Sequence, residues 1–270
     1  MAVFTLVSVT GAPGVTTCAL GLALAWPRDV VLVDADRFVS QTLPVGYFSG
    51  VTTGGRGLTS LSQAYRDGLD LAETLPGHFV KFPATGEADS PGRWVVPGFA
   101  RPGSAQLFEP VWPELAAALE ELDRRDIDVI VDVGRWGPPP ALVASTRALV
   151  LVTRAHLQAL AGLRLYLPDA RGLVAGVASC SLGLLVISGD DSYDSDEIAA
   201  HFELPVWGVL PWQPAEAAVL SDNTASRRRK STRPLARAFT VSATSLSHVS
   251  QRWDSRVRRA PATELETPNV

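Results

Sequence analysis

The chain is 270 residues long, 46% apolar and 19% charged, with a formal net charge of −4. Length and composition exclude a disordered polymer and a disulfide-stapled mini-domain, and leave room for one large domain with a complete core. The mildly negative balance excludes a global basic field for nucleic acid, and two cysteines without paired spacing, Cys18 and Cys180, fit a reducing compartment.

Residues 2–9 are almost continuously apolar, the signature of a strand covered on both faces. A glycine-containing turn follows, and Thr16-Thr17 open a segment in which Ala19, Leu20, Leu22, Ala23 and Trp26 recur at helical spacing until Pro27 stops it. Val30–Val33 reads as a second buried strand, ending in Asp34-Ala35-Asp36. A strand–helix–strand unit of this length predicts a right-handed crossover between parallel strands. Residues 37–57 read as loop. Leu58–Leu75 reads as one or two short helices with Leu61, Ala64, Leu69 and Leu71 facing inward. His78–Phe82 and Arg93–Val96 read as short strands around a polar turn.

Further on, Trp112–Leu122 predicts a helix and Ile127–Asp132 another buried strand, followed by Val133-Gly134-Arg135. Ala148–Thr153 and Leu182–Ile187 are two more buried strands, with a helix over Leu157–Tyr166 between them. Asp194–Phe202 predicts a helix capped by Asp194 or Ser195. Val206–Pro211 is a last short strand, and residues 214–221 and 234–249 predict two final helices. No linker divides the chain, so residues 1–259 are expected to form a single α/β domain, and the polar, proline-bearing stretch 260–270 a disordered tail.

The four histidines are scattered and predict no metal site. No apolar run approaches about 18 residues, and no basic leader opens the chain, which predicts a soluble, cytoplasmic protein. Val249–Val257 is too polar for an amphipathic membrane anchor.

The stretch Val3–Thr17 carries the chemistry. A strand, a tight glycine turn and a helix N-terminus form a cradle in which loop amides and the helix dipole converge on an anion. A working phosphate loop also needs a lysine for the β- and γ-phosphates, and this loop has none. A lysine contact to a triphosphate is worth about 1.5–3 kcal/mol, so its loss costs about tenfold to a hundredfold in affinity. Hydrolysis suffers more than binding, because transition-state charge loses its main neutraliser.

The order of motifs is a strand with a glycine loop, a strand ending in Asp34-x-Asp36, a strand ending in Asp132-x-Gly134, and a short strand ending in Leu210-Pro211. It resembles the ParA/MinD family of deviant P-loop ATPases, which includes pilus-localising TadZ/CpaE relatives, over roughly residues 2–250. The resemblance implies a three-layer, doubly wound, mostly parallel sheet. The family's Lys-Gly-Gly-x-Gly-Lys-Thr-Thr loop, laid without gaps, falls on Thr10-Gly11-Ala12-Pro13-Gly14-Val15-Thr16-Thr17. Gly11, Gly14, Thr16 and Thr17 match. Thr10 and Val15 stand where the family has its two lysines. A gapped reading, an ordinary loop with Gly-Lys deleted, is equally open and also leaves no lysine.

By this resemblance Gly11, Gly14, Val15, Thr16 and Thr17 would line a Mg-ATP or Mg-ADP site, with Asp34, Asp132 and Gly134 beside it and Pro211 on the base side. Thr16, Asp36 and Asp132 would hold Mg²⁺, and Asp36 would orient the attacking water if the protein is active. Arg37 and Arg135, on loops expected to face the cradle, are candidates to replace the missing lysine charge.

Three functions follow as expectations. The first is a spatial organiser or scaffold that works by protein–protein contact as a homodimer with a protein partner, binding nucleotide weakly, requiring none, and hydrolysing little or no ATP. The second is an active dimer-switch ATPase with an arginine in place of lysine. The third is a partition factor that binds DNA nonspecifically through Arg227, Arg228, Arg229 and Lys230.

Overall fold

The computed structural model describes residues 2–9, 14–50, 53–83, 91–177, 179–190, 192–222 and 233–257. Thr10, Gly11, the cluster Arg227–Lys230 and the tail 260–270 lie outside the described residues.

In chain order the first half runs β1 (Val3–Ser8), α1 (Val15–Ala25), β2 (Val30–Asp34), α2 (Leu58–Arg66), α3 (Leu71–Thr74), β3 (Val80–Lys81), β4 (Arg93–Val96) and α4 (Trp112–Arg124). The second half runs β5 (Asp128–Arg135), α5 (Pro140–Ala144), β6 (Ala148–Arg154), α6 (Leu157–Ala175), β7 (Ser181–Ser188), α7 (Ser195–Phe202), β8 (Val206–Pro211), α8 (Pro214–Ser221) and α9 (Pro234–Val257). One eight-stranded sheet has the order β3-β4-β2-β5-β1-β6-β7-β8. Every pairing is parallel except that of β3 with β4 at the edge.

Both faces of this sheet are covered, which is why its strands read as unbroken apolar runs rather than alternating ones. In β1, Val3 and Val7 join a core with Leu115 of α4 and Leu163 of α6. Phe4 and Leu6 join a separate core with Leu20 of α1 and Phe239 of α9. The two cores make the three layers of a doubly wound α/β fold.

Asp128, at the start of β5, ties the edge of this frame together. It is buried and accepts the Ala2 amide at 2.9 Å and the Trp26 indole N–H at 2.7 Å. It also pairs with Arg28 at 2.7 Å. Two segments far from it in sequence, at Ala2 and at Trp26–Arg28, are thus fixed on one carboxylate.

Some local expectations change. Helix α6 continues through Pro168 to Ala175, well past Tyr166. The predicted strand at His78–Phe82 shrinks to the two-residue β3, preceded by a 3₁₀ turn at Leu75–His78. The loop 37–57 contains a π-type turn at Thr42–Tyr47 that packs on α8. Leu61, Ala64 and Leu71 face inward, but Leu69 is 55% exposed. Helix α2 ends at Arg66 and the chain reverses at Gly68 with φ 74°, so Leu69 falls out of the helical register that would have buried it.

Candidate functional site

Because seven strands run parallel, their C-terminal ends share one rim of the sheet, where open α/β folds bind ligands. Helix α1 begins on that rim. Gly14 stands before it in the left-handed region, at φ 94° and ψ 35°, a conformation that costs little only without a Cβ. Its carbonyl accepts the Cys18 amide at 2.8 Å, closing the first helical turn. Val15, which the ungapped reading of the loop aligns with the family's lysine, is 1% exposed and belongs to the same apolar core as Leu6, Cys18, Ala19 and Ile130.

Thr16 follows on the helix and reaches toward the Asp132 carboxylate, where it favours the charged form. Asp132 Oδ1 accepts the Gly134 amide at 2.9 Å, whereas Oδ2 is buried without a hydrogen-bond partner. Burial, with repulsion from Asp36, pushes the Asp132 carboxyl up to about 7 against the pull of Thr16 and the Gly134 amide. Asp34 is the register partner of Asp132 across β2 and β5. Burial raises its pKa well above the usual carboxylate range, and the charges of Asp132 and Asp36 push the same way. Asp36 is raised chiefly by burial, opposed by the Phe38 amide, which it accepts at 2.8 Å, and by Arg135.

Gly134 has a steric reason to be glycine. It sits at φ 69°, and a Cβ there would come 2.3 Å from the Asp36 carboxyl. The bare backbone lets the second acidic loop close over the end of β5. Asp34, Asp36, Asp132 and Thr16 are therefore brought together, as the sequence predicts.

A buried carboxylate oxygen with no partner, beside a threonine hydroxyl and two more acids, fits a hydrated Mg²⁺, which takes hard oxygen ligands and keeps several waters. Among the described residues no group of three or more His, Cys, Asp or Glu could hold a metal ion by itself. A cation here would draw its remaining ligands from water or phosphate.

The cationic side is different. Arg37 pairs with Glu109 at 2.9 Å. Arg135 stacks over the Phe38 ring, 5.2 Å from its centroid, and favours the charge on Asp36. The described contacts of both arginines lie on the acidic side of the rim. The arginine that does share a cavity with Gly14 and Thr17 is Arg154, at the end of β6. Its guanidinium lies 3.9 Å from the centroid of the Trp212 ring. Pro211 and Trp212 line the same cavity, of about 220 Å³. That is smaller than the roughly 300–1,000 Å³ of typical small-molecule sites.

Sequence reasoning missed Arg154 because it reads as an ordinary strand-terminal residue. The signal was present in a long-range form. A parallel strand beside β1 must deliver the residue after Thr153 to the rim that carries the glycine loop.

No protein-family model matches the sequence, and no curated protein matches it. Solved structures do. MinD from Pyrococcus horikoshii, determined with Mg-ADP, superposes with a TM-score of 0.67 at 16% identity, covering 93% of this chain and 98% of that one. A ParA-family ATPase from Chlorobium tepidum gives 0.66 at 19%, covering 90% and 98%. A chain of the MinC:MinD cell division complex of Aquifex aeolicus gives 0.63 at 13%, covering 92% and 96%. This chain has the fold of the MinD and ParA-family ATPases.

Proposed function

We propose that this protein is a ParA/MinD-type scaffold: a spatial organiser that works through protein–protein contact, binds Mg-nucleotide weakly and hydrolyses little or no ATP. The observation that carries this reading is Val15. On the ungapped reading of the loop the lysine position is held by an isopropyl group sealed in the core, which can neither donate a hydrogen bond nor neutralise charge.

The acidic half of the site supports weak binding rather than none. Thr16 and the Asp132 carboxylate would hold a hydrated Mg²⁺, which supplies charge neutralisation at the phosphates when bound. Gly14, Thr17 and Pro211 would contact the nucleotide beside it, and Asp36 stands where a carboxylate could orient water. Without a lysine the loop leaves the developing negative charge poorly compensated. The neighbour determined with Mg-ADP and the one complexed with MinC motivate carrying two expectations to this chain: a nucleotide ligand and a protein partner. Phe38, Tyr193 and Trp212 are exposed on the rim of strand ends, and such a surface supports a homodimer across that face.

Titration with a fluorescent ATP analogue and Mg²⁺, followed by a phosphate-release assay, tests the reading. Weak binding with negligible turnover is expected, and tight binding with turnover overturns it. A second reading, an active ATPase in which arginine replaces lysine, is favoured by the position of Arg154 beside Gly14 and Thr17. Under that reading Arg154→Ala abolishes turnover. Under the first reading it leaves phosphate release at the background rate.

A further inference from the structure

The rim holds a second cavity, on the β4 side of Asp34 and away from Gly14. It encloses about 520 Å³, within the range of small-molecule sites, and lies between α2, the Thr42–Tyr47 turn and the segment after β4. One wall is apolar and rigid: Leu43, Phe48, Val95 and Phe99 line it and are buried in the fold. The opposite wall is cationic. Arg56 precedes α2, and Arg66 ends it on the same helix face as Thr59 and Gln63, at i, i+4 and i+7.

Unlike Arg37, which pairs with Glu109, these two arginines have no ion-pair partner among the described residues. Among the described residues Arg56 donates to the Phe79 carbonyl, at 3.3 Å. Arg66 donates to Ser62 Oγ at 2.9 Å and to Gln63 Oε1 at 2.7 Å. All three acceptors are neutral, so two guanidinium charges on the cavity wall lack an ion-pair partner among the described residues. Thr59 adds a donor, since its hydroxyl accepts the Ala100 amide at 3.0 Å and keeps its own proton to give. The one acid on the wall is Asp34, whose carboxyl already takes the amides of Asp36 and Gly98.

The geometry points to a second ligand site in this cavity, for an organic anion with a flat apolar body, of which an aryl or heteroaryl phosphate is the simplest example. Its anionic group meets Arg56, Arg66 and Thr59, and its ring lies against Phe48 and Phe99. Planar guanidinium forks suit phosphate and carboxylate oxygens, and the aromatic wall supplies a partner for the ring. The site is separate from the glycine cradle, so it stands whether or not that cradle binds nucleotide.

Phenyl phosphate titrated into the full chain, followed by backbone amide NMR, tests this. Saturable shifts are expected at Thr59, Gly98 and Ala100. Arg56→Gln combined with Arg66→Gln weakens binding about tenfold or more, the loss expected from removing charge-assisted contacts. Inorganic phosphate, which has no ring, binds more weakly than phenyl phosphate. Shifts confined to Gly14, Thr16 and Thr17 would place the anion in the cradle and overturn the proposal. So would an absence of saturable shifts, a double variant with unchanged affinity, or inorganic phosphate binding as tightly as the aryl ester. Both arginines are exposed, and an unchanged spectrum of the unliganded double variant verifies its fold.

Discussion

Asp34 and Asp132 stand opposite one another in the β2–β5 register, both buried, with the charge of Asp132 raising the proton affinity of Asp34. Such a pair makes stability depend on pH. Asp132 titrates near 7 in the folded protein and near 4 when unfolded, so between these values the folded state holds the extra proton. The contribution of Asp132 therefore falls as pH rises from about 4 to about 7, and the raised Asp34 acts in the same direction. The full effect is on the order of a few kcal/mol. The expected result is a higher Tm at pH 5.5 than at pH 8, and a smaller difference in Asp132→Asn, measured by circular dichroism. An unchanged pH slope in that variant would refute the assignment.

Mg²⁺ acts on the same repulsion. Adding millimolar Mg²⁺ at pH 8 raises the Tm, because a cation bound by the native state alone stabilises it by mass action. Asp132→Asn removes this increment. Equal increments in both proteins would show that the ion binds elsewhere.

Val15→Lys separates fold from function. A lysine placed at this buried position costs the unliganded protein about 1–3 kcal/mol or more through desolvation and lost packing. Mg-ATP binding strengthens about tenfold or more if Val15 is the true lysine equivalent. Chemical denaturation and nucleotide titration of one variant read both effects. Lower stability with unchanged affinity would favour the gapped reading of the loop, in which the lysine was lost by deletion.

At Gly134 the expected damage is local and large. Gly134→Ala must adopt φ 69° and bring its Cβ to 2.3 Å from the Asp36 carboxyl, so the loop shifts at a cost of about 1–3 kcal/mol. Both the Tm and the Mg²⁺-induced increment drop. A variant with native values of both would show that the acidic loop does not close over Gly134.

Asp128→Ala removes the acceptor shared by Ala2, Trp26 and Arg28. Breaking one partner of such a buried group leaves the others unpaired and costs about 3–5 kcal/mol. Urea unfolding measures this loss, and altered tryptophan emission should accompany it because the Trp26 indole loses its partner.

Much of this molecule was legible along the chain. The strands announced themselves because both their faces are covered, so Val3–Ser8, Val30–Asp34 and Ala148–Arg154 carry no polar alternation to confuse the reading. Asp34, Asp36 and Asp132 were recognisable because acids at successive strand ends have few places to go in a parallel sheet other than a common rim. What escaped depended on spatial order. Arg154 acquires meaning only because β6 lies beside β1, and Arg56 and Arg66 only because the Thr42–Tyr47 turn folds across from α2. Leu69 failed for a different reason: one glycine at φ 74° moved the chain out of a periodicity that the sequence otherwise continues.

The burial of Val15 also bears on where a positive charge can be placed in this loop. Neighbouring side chains pack against an apolar group at the head of α1, so a long cationic side chain there must disturb the core before it gains a phosphate contact. A cation on the surrounding rim carries no such penalty, and Arg154 already shares a cavity with Gly14 and Thr17. Charge is more cheaply supplied to the cradle from across the rim than from within the loop.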